Sequence, residues 1–551
     1  MAYSDYLCPV LATDGYKITH KGMFPEGTTQ VYSNLTPRDS KHAQKSKLFD
    51  NKVVFFGLQA VLLNHLQKDW NDRFFHVDKE IAIEEIRSTF DAYAGPGVVD
   101  ISAFEDLHDL GYLPIHIKAL PEGSRVNIKV PVLTITNTHP EFFWLTNYLE
   151  SILSAELHKG ITAATTAYEF RRVVNHFAEL TGANKDFTNW QCHDFSLRGM
   201  SGVNDAMLVG GAHLLSNYGS DTIPAISFLK NYYMAGSELI SGSVPASEHS
   251  VMTMGGQDNE KETIRRIIKD IYPAGIVSVV VDGYDYWKVL TEYVPALKGD
   301  ILSRQKNALG QAKTVFRPDS GDPVEIICGM KVYVLTRDEW DDARELNNDS
   351  YDVVYDPLED KYYRFDVHCW PDGSVSGMDI EDEVPVHEVK GSIEVLWDTF
   401  GGTVTDKGFK VLDEHVGLIY GDSITLDRQW EILERLAAKG FASSNVVFGV
   451  GSYTYQCVSR DNFGIAVKAT YGVVNGEARE IFKDPATDTN KTKKSAKGLL
   501  RVEKEGENFV LYDQQTPMQE LQGELQTVFL DGTVSGLQSL AEIRIRLGAI
   551  S

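Results

Sequence analysis

The chain predicts an α/β fold on a parallel sheet, with a second, β-rich domain and an acidic insertion. Three observations predict it. From about Asn189, short apolar runs end in small or charged residues and give way to helical spacing, the rhythm of strand–loop–helix units. Segments nearer the two ends read as strands instead, as in VNIKVPVLTITN, GIAVKATYGVV and ENFVLYD. Between Pro323 and Lys410 the strand–helix rhythm breaks, and the stretch is dense in Asp, Glu, Tyr and Trp.

In chain order, VVFFGLQAVLLNHL (Val53 to Leu66) has the apolar spacing of a helix, and Val126 to Asn137 alternates like a strand. Two helices are expected next, over about Glu141–Leu157 and Thr162–Leu180. Four strand–helix units follow: VSVVVDGYDYWKVL, with its strand ending at Asp282; KTVFRPDSGD, ending at Arg317 to Gly321; VGLIYGDSITLDRQWEILERL, ending at Gly421 and Asp422; and SNVVFGVGSYTY, ending at Gly449 to Ser452. Ligands of parallel sheets, open or closed, sit at the carboxyl ends of the strands, where all four polar clusters fall. The expected organisation is residues 1–150 as the N-terminal part of the β-rich domain with helices, 151–460 as the α/β unit with the insertion at about 324–405, and 461–551 completing the β-rich domain.

Bulk properties narrow the function. The 551 residues exceed one ordinary core, and 43% apolar with 24% charged residues is the composition of a globular protein. A net charge of -25 opposes nucleic-acid phosphates and anionic lipid as partners. The five cysteines are scattered without a C-x-x-C pair, which fits a reducing compartment. MAYSDYLCPVLATDGYK is not a signal peptide, and no apolar run is long enough to span a bilayer, so a cytoplasmic protein is expected.

Several clusters carry chemistry, and each alone also fits a plain structural role. In RPDSGD, Arg317 can fork a phosphate and Asp319 can orient hydroxyls or a Mg²⁺ shell, though a turn closed by an Arg–Asp pair reads equally well. Gly421-Asp422-Ser423 and Gly449-Val450-Gly451-Ser452 offer backbone N–H groups to a phosphate, or are simple turns. His249, in SVPASEHS beside Glu248, can accept a phosphoryl group or a proton, or merely pack. In HDFSLRGMSG, which also holds His193, Phe195 can stack on a flat ring and Arg198 can lie near it. Asp221 in YGSDT can accept from an amide N–H and would repel a carboxylate.

Ten runs in order, ATDGYKITH, YSNLTPRDSK, HDFSLRGMSG, GSDT, SVPASEHS, VVVDGYDYW, RPDSGDP, YGDS, FGVGS and IFKDPATDTNK, resemble the nicotinamide phosphoribosyltransferases, type II phosphoribosyltransferases. The resemblance runs from about residue 8 to the C-terminus, interrupted mainly by the acidic stretch. It implies an irregular α/β barrel beside a β-rich domain formed from both chain ends. It also implies a homodimer with active sites at the interface. The expected reaction joins nicotinamide to 5-phosphoribosyl 1-pyrophosphate, giving the mononucleotide and pyrophosphate, with Mg²⁺ and with ATP as co-substrate. By the match, Phe195 and Tyr16 of the other subunit sandwich the pyridine, Asp221 takes the carboxamide, and Arg198 lies near ring and phosphate. Arg317, Gly421, Asp422, Gly451 and Ser452 belong to the ribose-phosphate site. Asp319 and Asp282 orient ribose hydroxyls and Mg²⁺. Arg38, Arg460, Lys483 and Lys491 are cations for diphosphate and ATP, and His249, with Glu248 beside it, is the phosphorylated histidine. Two features depart from the pattern: the loop reads GVGS where a glycine-richer run is usual, and the acidic stretch is unusually long. The alternatives are a nicotinate phosphoribosyltransferase, which Asp221 opposes, and a non-catalytic dimeric binding or signalling protein on the same scaffold.

Overall fold

The structure is a computed structural model that describes residues 7–236, 238–335, 351–371, 375–421, 423–482 and 496–550. Its centre is a six-stranded parallel sheet: β1 (Cys192–Asp194), β2 (Gly219–Ser220), β3 (Val277–Val280), β4 (Thr314–Arg317), β5 (Val416–Tyr420) and β6 (Val446–Val450), in the order β2-β1-β6-β5-β4-β3. The segment 242–247 bridges the two edges. Gly242 pairs in parallel with Gly219 on β2, and Ala246 pairs in parallel with Ser278 on β3. The Gly242 N–H donates to Tyr218 O at 2.9 Å and the Ser278 N–H to Pro245 O at 2.9 Å, so neither edge is left bare.

Strand residues such as Val279, Phe316, Leu418 and Phe448 are fully or almost fully buried under surrounding helices, which is why these strands read as apolar runs without alternation. The helix Leu426–Ala438 shows how the sequence places one of those helices. Thr425 caps it by accepting from the Arg428 N–H, and Leu426, Gln429, Ile432, Leu433 and Leu436 form the buried face at helical spacing.

Residues 150–181 depart from the two-helix expectation by forming a single helix, Glu150–Thr181, stopped by the left-handed Gly182. Gly160, in the gap between the two expected helices, sits inside it for a packing reason. A Cβ there would lie 2.9 Å from the Phe56 carbonyl oxygen. The expected start at Glu141 is also lost, because 140–142 form a 3-10 turn and Leu145–Tyr148 a separate short helix. The run Val53 to Leu66 divides: Lys52–Val54 is a strand and helix begins at Leu58, after the left-handed Gly57. Likewise Val126 to Asn137 is two strands, Arg125–Asn127 and Leu133–Asn137, separated around Pro131.

A seven-stranded antiparallel sheet draws on both ends of the chain. Its order is Glu477–Glu480, Ala466–Val474, Thr28–Thr36, Leu133–Asn137, Ile115–Ala119, Gln526–Leu530, Thr533–Val534. It packs into a separate apolar core with the N-terminal helices. Within the acidic stretch, Val332–Val334, Val353–Asp356, Lys361–Cys369 and Val375–Val384 form a four-stranded sheet. The flanking helices Pro323–Cys328 and Ser392–Phe400 bury Ile327, Ile393 and Leu396 in the barrel core.

Candidate active site

Each strand of the parallel sheet carries candidate site residues at or just past its carboxyl end. β1 is followed by Phe195 and Arg198, β2 by Asp221, the bridging segment by Glu248 and His249, and β3 by Asp282. Arg317 is the last residue of β4, with Asp319 two residues on; Gly421 follows β5, and Gly451 and Ser452 follow β6. Of these, Phe195, Asp221 and Arg317 line a cavity of about 410 Å³ with His193, Trp190 and Ser243, and it runs on past Ser278 and Leu418 to Lys313, Val416 and Asn445 at the amino ends of the strands.

Phe195 is set by backbone and by space. Its N–H donates to Val450 O at 3.0 Å, extending the β1–β6 pairing. Gly449 leaves room for the ring, since a Cβ there would lie 2.8 Å from Phe195 Cδ2. The His193 ring lies against Phe195 with centroids 4.6 Å apart. Asp221 accepts at Oδ1 from His193 Nε2 at 2.9 Å and Ser243 Oγ at 2.5 Å. Burial pushes the Asp221 carboxyl up, but His193, Ser243 and the field of Arg317 outweigh it and hold it below the usual carboxylate range.

The next group is built around Asp282, whose side chain is only 3% exposed. Its Oδ1 lies 3.0 Å from His249 Nε2, and its Oδ2 accepts from the Asp319 N–H at 2.9 Å and Ser320 Oγ at 2.6 Å. Burial raises this carboxyl too, and those donors more than compensate, so it stays ionised. His249 itself is half exposed. Arg317 donates from Nη2 to Ser247 O at 3.0 Å and pairs with Asp319 at 3.5 Å. The Asp319 carboxylate fills the space over Gly421, where a Cβ would lie 2.0 Å from Oδ1. Asp322, last residue of RPDSGD, caps the following helix by accepting from the Val324 N–H at 2.8 Å. Thus Arg317 and Asp319 face the candidate site while Asp322 starts a helix.

Ser452 Oγ rests over Gly199, where a Cβ would come within 2.0 Å, which seats the Arg198 loop against the β6 loop. Arg198 is exposed. The Glu248 carboxylate takes the Ser250 hydroxyl rather than turning to His249.

The remaining residues lie with the other sheet. Tyr16 is 63% exposed and does not line the cavity. Its neighbour Lys17 is buried, donating to Glu150 and to Asn147 O at 2.8 Å each. Arg38 donates to Gly464 O at 2.6 Å, and Arg460 is exposed beside Asp461. Asp422, Lys483 and Lys491 lie outside the described residues.

Sequence reasoning missed Ser243, Ser278, Ser320 and Lys468. Ser278 Oγ is buried without a hydrogen-bond partner, and the residue lines the cavity. Lys468, on the strand Ala466–Val474, joins the cations: burial and the fields of Arg38, Arg460 and Lys17 lower its pKa. The serines had no sequence signal beyond their nearness to motif residues. Lys468 had one, a lysine in an otherwise apolar strand. Among the described residues no group of three or more His, Cys, Asp or Glu can hold a metal, and no helix is long and apolar enough to cross a membrane.

A model of the nicotinate phosphoribosyltransferase (NAPRTase) family matches residues 190–532, and a model of the nicotinamide phosphoribosyltransferase N-terminal domain matches 9–117. A nicotinamide phosphoribosyltransferase of Acinetobacter baylyi is 50% identical over 539 residues, covering 98% of this chain and 97% of the relative. One of Mycoplasma pneumoniae is 32% identical over 88% of this chain and 94% of the relative. A nicotinate-nucleotide pyrophosphorylase structure from Pyrococcus furiosus shares the fold, with a TM-score of 0.51, 13% identity and coverage of 100% and 98% of the two chains. The chain belongs to the nicotinate phosphoribosyltransferase (NAPRTase) family, among relatives that are nicotinamide phosphoribosyltransferases.

Proposed function

We propose that the chain transfers the phosphoribosyl group of 5-phosphoribosyl 1-pyrophosphate to nicotinamide, giving nicotinamide mononucleotide and pyrophosphate in NAD salvage. The single observation that carries the choice of substrate is an ionised carboxylate, Asp221, beside an aromatic platform, Phe195, in one cavity. A carboxylate accepts from an amide N–H and repels a ring carboxylate at close range.

In this reading the pyridine lies on Phe195 with its carboxamide N–H toward Asp221. The orphaned Ser278 hydroxyl is a donor for the carboxamide oxygen. Arg317 turns from Ser247 O toward the ribose 5-phosphate, joined by backbone N–H groups of the Gly421 and Gly451–Ser452 loops. Asp282 and Asp319 face the ribose hydroxyls. The ring nitrogen then attacks C1, and the C1–O bond to diphosphate breaks. The protein's contribution is to hold ring and sugar in line and to oppose charge on the departing group.

The donor set fits Mg²⁺ in one way. Asp282 is already committed at both oxygens and Asp319 is ion-paired, so the pair suits an ion that arrives on diphosphate oxygens and keeps waters of its own. When bound, the ion neutralises charge on the diphosphate.

His249 is an exposed imidazole oriented by a buried carboxylate, the arrangement a phosphoryl acceptor needs. ATP is its proposed donor, with ADP leaving as the phosphohistidine forms. Lys468 is on the other sheet and Tyr16, Arg38 and Arg460 lie beside it, and their place is at the site of a second copy in a homodimer. The charge balance gives no role to nucleic acid or membrane, and the cytoplasm is the expected location.

The test is direct. Purified protein with Mg²⁺, nicotinamide and phosphoribosyl pyrophosphate should form the mononucleotide and release pyrophosphate. Absence of both products sinks the assignment. Asp221→Asn should lower the nicotinamide-to-nicotinate ratio of kcat/KM, and an unchanged ratio would remove Asp221 from recognition. His249→Ala should abolish stimulation by ATP, and full stimulation in that variant would remove the phosphohistidine.

A further inference from the structure

We propose that His193 and Ser243 are positioning residues that fix which oxygen of Asp221 meets the substrate, and that they thereby set the preference for an uncharged carboxamide over a carboxylate. The proposal rests on Asp221 as the amide acceptor and adds the device that makes its selectivity possible.

Asp221 follows a strand of only two residues, and its side chain is 42% exposed. A carboxylate so placed would rotate, presenting either oxygen or neither. Two groups prevent this. His193 comes from β1, on one side of β2, and Ser243 from the bridging segment on the other. Both donate to the same oxygen, Oδ1, at 2.9 and 2.5 Å. The Asp221 N–H donates to Asp194 O at 2.9 Å and anchors the backbone between them. Oδ1 is thus saturated by protein. Oδ2 receives no hydrogen bond from a described residue, and Asp221 lines the cavity. One acceptor is spent on the scaffold and one is left for a ligand donor.

The imidazole is fixed in turn. It lies against Phe195 and over Gly219, where a Cβ would come 2.7 Å from Nδ1. Nδ1 has no acceptor among the described residues, so the ring proton belongs on Nε2, facing Asp221. Donation from Nε2 orients the carboxylate through one hydrogen bond. A lysine or arginine there would orient Asp221 equally well and abolish the repulsion that excludes an acid substrate. Because the same imidazole touches Phe195, platform and acceptor are held in register: the ring that stacks is placed so that its substituent reaches Oδ2.

The experiment is steady-state kinetics of the full chain with nicotinamide and with nicotinate, for the wild type, His193→Ala, His193→Gln and Ser243→Ala. Gln keeps an N–H donor near the position of Nε2. His193→Ala should lower the nicotinamide-to-nicotinate ratio of kcat/KM about tenfold, the size expected for one hydrogen bond to a charged group. The loss should fall on the nicotinamide KM, with the KM for phosphoribosyl pyrophosphate unmoved. His193→Gln should restore most of the ratio, and Ser243→Ala should lower it less, in the same direction. In an Asp221→Asn background, His193→Ala should change the ratio no further. Equal loss for both substrates in His193→Ala, or no rescue by Gln, would overturn the proposal. If His193→Ala does not fold, an unchanged ratio in Ser243→Ala overturns it. A wild type that makes no mononucleotide from nicotinamide would instead bring down the reading of Asp221 on which all of this stands.

Discussion

The barrel mouth and the seven-stranded sheet treat charge in opposite ways. At the mouth, charges are tied to one another: His249 to Asp282, Arg317 to Asp319 and to Ser247 O, His193 and Ser243 to Asp221. Beside the sheet the cations are held more loosely: Arg460 is exposed near Asp461, and Lys468, 3.9 Å from Glu150, has its pKa lowered by burial and by the fields of Arg38, Arg460 and Lys17. A preorganised network suits a small neutral ring that must be aimed. A cluster of like charges costs free energy until an anion arrives, and suits diphosphate. The difference teaches that a chain with net charge -25 can still gather several cations on one surface, with Glu150 and Asp461 offsetting them only in part.

The comparison breaks first at Arg317. If the mouth binds the ribose phosphate through that side chain, Arg317→Ala should lower kcat/KM by about 10²–10³, the usual loss for a preorganised charge contact. Stability should move little, because Arg317 makes one backbone hydrogen bond and one ion pair. Steady-state kinetics beside a thermal melt would check it, and near-wild-type turnover would place the phosphate elsewhere.

Next comes the claim that the two regions meet across a homodimer. Arg317→Ala and Lys468→Ala proteins, each weak alone, should regain activity when unfolded and refolded together. Random pairing makes half the dimers mixed, with one intact site in two, so recovery should approach about a quarter of wild type. No recovery from a mixture shown to contain mixed dimers would put all the cations at their own chain's mouth.

Legibility in the sequence follows the same divide. The barrel strands could be read because both their faces are buried, leaving apolar runs that end abruptly at the site. The motifs marked Phe195, Asp221, His249, Asp282, Arg317, Asp319 and the glycine loops, which the fold brings to one rim. What could not be read was contact between segments far apart in sequence. Ser243 and Asp221 are 22 residues apart, and no local pattern announces their hydrogen bond. Edge closure by 242–247 was invisible for the same reason, since isolated bridges leave no periodicity. The gap expected between the two helices is closed around Gly160, where a backbone oxygen from another segment occupies the space of a Cβ.

Gly160 supplies the next test, between packing in the barrel shell and intrinsic preference. In an exposed helix Gly→Ala stabilises by about 1 kcal/mol. At 160 the added Cβ meets Phe56 O at 2.9 Å and Leu208 at 3.2 Å, and Phe56 O is backbone that cannot swing aside. Gly160→Ala should therefore destabilise, by about 1–3 kcal/mol, as overpacking does. Denaturant unfolding would measure it, and a gain in stability would mean that the 56–57 segment yields easily.

The smallest effect concerns pH and separates the flank from the barrel. His65 lies in the helical run Leu62–Asp69 that packs into the sheet-side core. Burial lowers its pKa, but Asp69 at 3.1 Å and Glu156 at 3.6 Å overcome that and bring it to about 9. Arg73, 3.4 Å from Asp69, competes for one of those carboxylates and limits the gain. Because the folded value exceeds the unfolded value of about 6.5, the charged histidine stabilises the folded state fully below about pH 6.5 and stops doing so as pH rises through about 9. His65→Gln should thus cost about 1–2 kcal/mol at pH 6 and almost nothing at pH 9.5, once screening by water is allowed for. The measurement is the difference in unfolding free energy between wild type and variant across that range. A pH-independent difference would mean that His65 stabilises the flank by packing alone, and that the sheet-side core is no more sensitive to protonation than the barrel beside it.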